Sequence, residues 1–93
     1  MPETITIGAV VYRVVERELD GTLCGDIDPM ACRIRIRDDM HAQAQQVTLW
    51  HEVIHGILMN AGYRDHDEQQ IDALAYGLVQ VLRDNPEMRE VNP

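Results

Sequence analysis

Between Val47 and Met59 the apolar side chains Val47, Leu49, Trp50, Val53, Ile54, Ile57, Leu58 and Met59 point in every direction from a helix axis. A helix with no solvated stripe must sit centrally, so the rest of the chain has to supply layers on more than one side of it. Yet His51, Glu52 and His55 interrupt that surface, and burying three ionisable groups without partners costs several kcal/mol. Positions i and i+4 of a helix lie one above the other, about 5 to 6 Å apart at Cβ, so both imidazoles can address one point. A metal ion at that point satisfies them. The bland alternative is a pair of core histidines satisfied by protein groups, beside a surface glutamate.

By background residue frequencies, H-E-x-x-H arises by chance in a chain this long only on the order of a few times per thousand. Zinc takes imidazole nitrogen at about 2.0 to 2.1 Å, and a glutamate directly after the first histidine lies beside the ion, where it suits a general base. The pattern therefore nominates His51 and His55 as ligands of Zn2+ and Glu52 as the catalytic base. A zinc that does chemistry keeps three protein ligands and one open position. The apolar stripe Ile71, Leu74, Ala75, Leu78 and Leu82 marks a second helix, and extending it back three residues reaches Glu68, the candidate third ligand. Asp72 lies one turn further on the same side, where it can accept the other N–H of a zinc-bound histidine. Asp65, His66, Asp67 and Asp72 remain substitute ligands.

Ninety-three residues support one core, so residues 1–93 read as one domain. Strands are predicted over Thr4–Ile7 and Val10–Val15, β-branched runs punctuated by Gly8, while Gly21, Gly25 and Asp26-Ile27-Asp28-Pro29 read as turn chemistry flanking a short strand near Leu23. From Cys32 to Arg37, Cys32, Ile34 and Ile36 alternate with Arg33, Arg35 and Arg37, as in a half-buried strand. The arginine row reads as a solvated face that protects a sheet edge. Asp38 and Asp39 suit a helix start, Asn60-Ala61-Gly62 a left-handed stop, Asp65 to Asp67 a second start and Asn85-Pro86 its end, after which a short tail should fray. The predicted fold is α+β: a small antiparallel or mixed sheet of about three strands packed on the H-E-x-x-H helix, with a second, C-terminal helix.

A net charge of -8 argues against a nucleic-acid partner. No apolar run reaches the roughly 20 residues of a membrane span and no signal pattern opens the chain, so a cytoplasmic location is expected. Cys24 and Cys32 are then reduced, small hydrophobic residues rather than a disulfide.

The sequence resembles the gluzincin metallopeptidases, in which H-E-x-x-H is followed by a helix bearing E-x-x-x-D, here Glu68-Gln69-Gln70-Ile71-Asp72. Within that group, Thr48-Leu49-Trp50-His51-Glu52-Val53-Ile54-His55-Gly56 and Asp72-Ala73-Leu74-Ala75 look like the small bacterial and phage-borne ImmA/IrrE-type metallopeptidases, and Gln80 to Pro86 is similar to phage proteins of that kind. The resemblance spans roughly residues 47 to 86. It implies zinc on His51, His55 and Glu68, Glu52 as the base and Asp72 orienting His51. Only twelve residues separate His55 from Glu68, fewer than in larger gluzincins, and no C-terminal domain supplies oxyanion donors, a role that Tyr63 or His66 would have to fill. The expected substrate is a peptide or protein lying along an edge strand, with Cys32–Arg37 the candidate edge and its arginines favouring acidic sequences. The competing expectation is a zinc-binding regulatory or interaction domain without turnover.

Overall fold

The computed structural model describes residues 1–90. The elements follow in the order β1 (Thr4–Ile7), β2 (Val10–Arg17), β3 (Gly25–Asp28), β4 (Arg33–Arg37), α1 (Ala42–Asn60) and α2 (Glu68–Asp84), with a 3-10 turn over Pro86–Glu90. The chain is α+β, with one strand more than the three anticipated. Gly8, at φ 60, makes the tight turn that folds β1 back on β2, pairing Ile7 with Val10 and Thr4 with Arg13. The additional strand is β3. It occupies Gly25–Asp28, a stretch that reads as turn chemistry but pairs with β4, while Leu23 is exposed in the loop before it.

Strand order is β1-β2-β4-β3. β4 enters between its predecessors, parallel to β2 and antiparallel to β3. This corrects the expectation that the arginine-bearing strand is an edge; the edges are β1 and β3. The arginines are not a solvated row either. Arg33, Arg35 and Arg37 are half-buried, Asp26 binds Arg35 from the neighbouring strand, and Asp39 binds Arg37 at 2.8 Å. Cys32 precedes β4 at φ 50 and is exposed, so the inward face of the strand consists of Ile34 and Ile36, both fully buried. Cys24 is also an exposed free thiol, so neither cysteine is the buried small residue that was expected.

Ile7, Tyr12, Ile34 and Ile36 form the sheet side of the core, against Leu49 and Val53 of α1. Gly56 lets the helix down onto the sheet. A Cβ there would stand 2.7 Å from Ile7 Cδ1 and 2.9 Å from Ile27 Cδ1, closer than such carbons approach. On the other side of α1, Ile54 packs on Ile71 and Ala75 of α2, while half-buried Trp50 touches both clusters. Because α2 meets α1 and no strand, only a narrow part of its apolar stripe is covered. Leu74 and Leu78, expected inside, are 55% and 38% exposed.

The helix ends follow local chemistry. Asp39 is taken by Arg37, and α1 starts later than Asp38-Asp39 promised, at an N-cap His41 whose Nδ1 accepts the Gln43 N–H at 3.1 Å. At the other end Gly62, at φ 92, reverses the chain as expected, and the Tyr63 N–H donates to Leu58 O at 2.9 Å. Asp67 caps α2 by accepting the Gln70 N–H at 3.1 Å, and the helix stops at Asn85 before Pro86. The segment expected to fray forms the 3-10 turn against α2 as far as Glu90; its last three residues, 91–93, lie outside the described part. Among the described residues, no helix is long and apolar enough to cross a membrane.

Candidate metal centre

α1 presents His51 and Glu52 at its middle and His55 one turn further on, and the short connection to α2 brings the first turn of the second helix over them. Glu68 then spans the two histidines. Its Oε2 lies 3.0 Å from His51 Nε2 and its Oε1 lies 3.0 Å from His55 Nε2. The two Nε2 atoms are 3.2 Å apart. Among the described residues, His51, His55 and Glu68 form the one group of three whose ligand atoms converge in this way. A tetrahedral ion with bonds of about 2.0 to 2.1 Å has ligand atoms about 3.3 Å from one another, so the spacing fits zinc.

The far sides of the rings fix which nitrogens carry protons. His51 Nδ1 is 2.7 Å from Asp72 Oδ1, and a carboxylate accepts, so the proton sits on Nδ1. His66 Nε2 is 2.8 Å from the Tyr63 carbonyl and must donate to it, which leaves His66 Nδ1 to accept from His55 Nδ1 at 2.7 Å. With both rings neutral, the ligand histidines turn unprotonated Nε2 lone pairs toward Glu68, and four acceptor atoms then meet with no hydrogen between them, an arrangement that a cation satisfies. Burial outweighs the opposing pull of Glu68 and keeps the His55 pKa below the ordinary imidazole value, which favours the neutral ring that a metal requires.

Glu52 stands apart from the ligands. It is the one buried charged side chain among the described residues, at 7% exposure, and its Oε2 is 4.0 Å from His51 Nε2. Burial, opposed by His51 and reinforced by Asp26, Glu68 and Asp72, pushes its pKa up to about 7. Two clefts meet at His51 and Glu52. One, of about 540 Å³, runs along α1 between Leu23, Met40, Val47 and Tyr76; the other, of about 410 Å³, lies between the β3 edge and His55, Met59 and Glu68.

The substitute ligands are placed elsewhere. Asp67 is occupied as an N-cap, Asp65 is exposed, Asp72 is spent on His51, and His66 sits behind His55. The orienting contact of His66 was not readable from spacing, because the loop that carries it has no periodicity. Tyr63 contributes its carbonyl, while its side chain is 63% exposed. No known protein family, curated protein or solved structure matches this chain.

Proposed function

We propose that the chain is a zinc-dependent peptidase of narrow substrate range, a small gluzincin of the kind its H-E-x-x-H and E-x-x-x-D motifs resemble. The observation that carries this reading is the all-acceptor cluster of His51, His55 and Glu68 with a buried, non-ligating Glu52 beside it. Zinc held there by His51, His55 and Glu68 would supply Lewis acidity toward a carbonyl and would activate water at neutral pH.

Glu52 takes the proton released on attack and returns it to the leaving amine, a double task suited to a carboxyl whose pKa is pushed up to about 7. Asp72 and His66 hold the imidazoles through Nδ1, so that neither ring turns as charge changes at the site. The substrate backbone adds to the free edge of β3, which takes over the role first given to β4, and its side chains enter the two clefts that meet at Glu52. Two unpaired exposed thiols suit a reducing compartment such as the cytoplasm.

A metal-holding domain without turnover would need the ligands but not Glu52, and the cost of burying that carboxyl favours the enzyme. Elemental analysis of the purified protein, with His55→Ala as control, tests the site: about one zinc per chain, lost in the variant, is expected. Glu52→Gln then separates the two readings, since it should keep the zinc and abolish cleavage of a peptide library. A protein that binds no zinc after reconstitution is no metallopeptidase.

A further inference from the structure

Parallel pairing of β2 with β4 has a result that neither strand reveals alone. Register sets Arg13 beside Arg33, Val15 beside Arg35, and Arg17 beside Arg37. Ile34 and Ile36 point to the core, so these five arginines, of the chain's eight basic residues, share the opposite face of the sheet. α1 packs on the inward face and α2 meets no strand, so no described element covers the arginines. Like charges directly opposite one another on a sheet are destabilising.

The counter-ions are unevenly spread. Asp26 binds Arg35 and Asp39 binds Arg37, but among the described residues no carboxylate comes within ion-pair distance of Arg13, Arg17 or Arg33. Asp28 pairs in register with Arg33, yet its Oδ1 accepts the Met30 and Ala31 N–H groups at 3.0 and 3.2 Å. Arg33 Nε is buried with no partner. Arg13 and Arg33 at one end of the face and Arg17 at the other are thus left without a counter-ion, whereas Arg37 is already held by Asp39 and by the Leu23 carbonyl.

We propose that this face docks an extended acidic segment of a partner protein, whose carboxylates four residues apart are held by the Arg13–Arg33 pair and by Arg17. Four residues of strand span about 13 Å, and an extended partner repeats its own i and i+4 side chains at that distance. Guanidinium pairs suit carboxylates, which they grip through parallel N–H bonds. Nucleic acid fits less well. Tyr12, the aromatic residue of β2, faces inward at 4% exposure, so the face offers no ring on which a base can stack. Beyond it, 16 acidic residues against three remaining arginines repel any polyanion that outruns the patch.

The surface lies across the sheet from the metal centre, and its test does not require activity. Anisotropy of a fluorescein-labelled octaglutamate peptide is followed on addition of the full chain at about 20 mM salt and again at about 200 mM. Binding at low salt is expected, weakened by about tenfold or more in Arg13→Gln/Arg17→Gln and by the added salt. Arg83→Gln/Arg89→Gln, which removes the same charge far from the sheet, should bind as the parent does. Melting curves show whether each variant is folded, and relief of repulsion predicts no loss for the sheet variant. No binding by the parent overturns the proposal, as does equal weakening in both double variants. Tighter binding of a labelled oligothymidylate of similar charge would do so as well, by assigning the face to nucleic acid.

Discussion

His66 uses both ring nitrogens, one on a carbonyl and one on His55, and so fixes the tautomer of a candidate ligand without touching the metal position. His66→Ala should weaken zinc binding about 10- to 100-fold, whereas Asn, which keeps an acceptor, should recover part of the loss. Competition with a chromophoric chelator measures both, and an unchanged affinity in the Ala variant would remove His66 from the site. Glu52 makes a pH prediction. Its folded pKa of about 7 lies above the roughly 4.3 of an unfolded glutamate, so the folded chain holds that proton more tightly. The associated stability is complete below about pH 4.3 and is lost as pH rises through 7; above that the buried carboxylate costs up to about 4 kcal/mol. In the metal-free protein, Glu52→Gln should raise the melting temperature at about pH 8 and leave it unchanged at about pH 4. At this scale the sequence is informative where helical geometry translates spacing into position, as for His51, His55, Glu68 and Asp72. It offers His66 only as a substitute ligand or oxyanion donor and misses its contact with His55, since nothing in an aperiodic loop says which way it turns.

The helix α1 rests on the sheet through a glycine, and filling that contact has a definite cost. Gly56→Ala gains helix propensity worth about 1 kcal/mol but forces a methyl against Ile7 and Ile27, where overpacking costs about 1 to 3 kcal/mol. A lower urea midpoint is expected; a higher one would mean that the sheet yields easily. Alternation along β4 was readable because one face of the strand meets the core, and β1 and β2 were readable as β-branched runs divided by Gly8. The place of β4 was not, since a central strand of a sheet with one open face carries the same alternation as an edge. α2 was read too wide: its stripe includes Leu74 and Leu78, but a helix that packs on one neighbour buries only Ile71 and Ala75. Capping failed at Asp39 for a similar reason, because an arginine two residues earlier competes for the same carboxylate.

Among the described residues, α2 is joined to the rest of the fold through α1 alone, apart from the turn that follows it, and the candidate ligand set bridges those two helices. Zinc bound only by the folded form adds its binding free energy to stability. Chelation should therefore lower the melting temperature and let the amides of α2 exchange before those of the sheet, as hydrogen-exchange mass spectrometry would show. Uniform exchange would mean that packing on Ile71 and Ala75 suffices to hold the helix. The strand order bears on synthesis as well. A nascent chain that stops short of Arg33 possesses one hairpin and a later strand with nothing to pair with, because the strand that joins them is made last. Arg13 must wait about 20 residues for its neighbour Arg33, and such non-local pairing is slow to form. Completion of the sheet thus waits for Arg37, and a ribosome paused within the loop before β4 would hold a chain unable to protect β3.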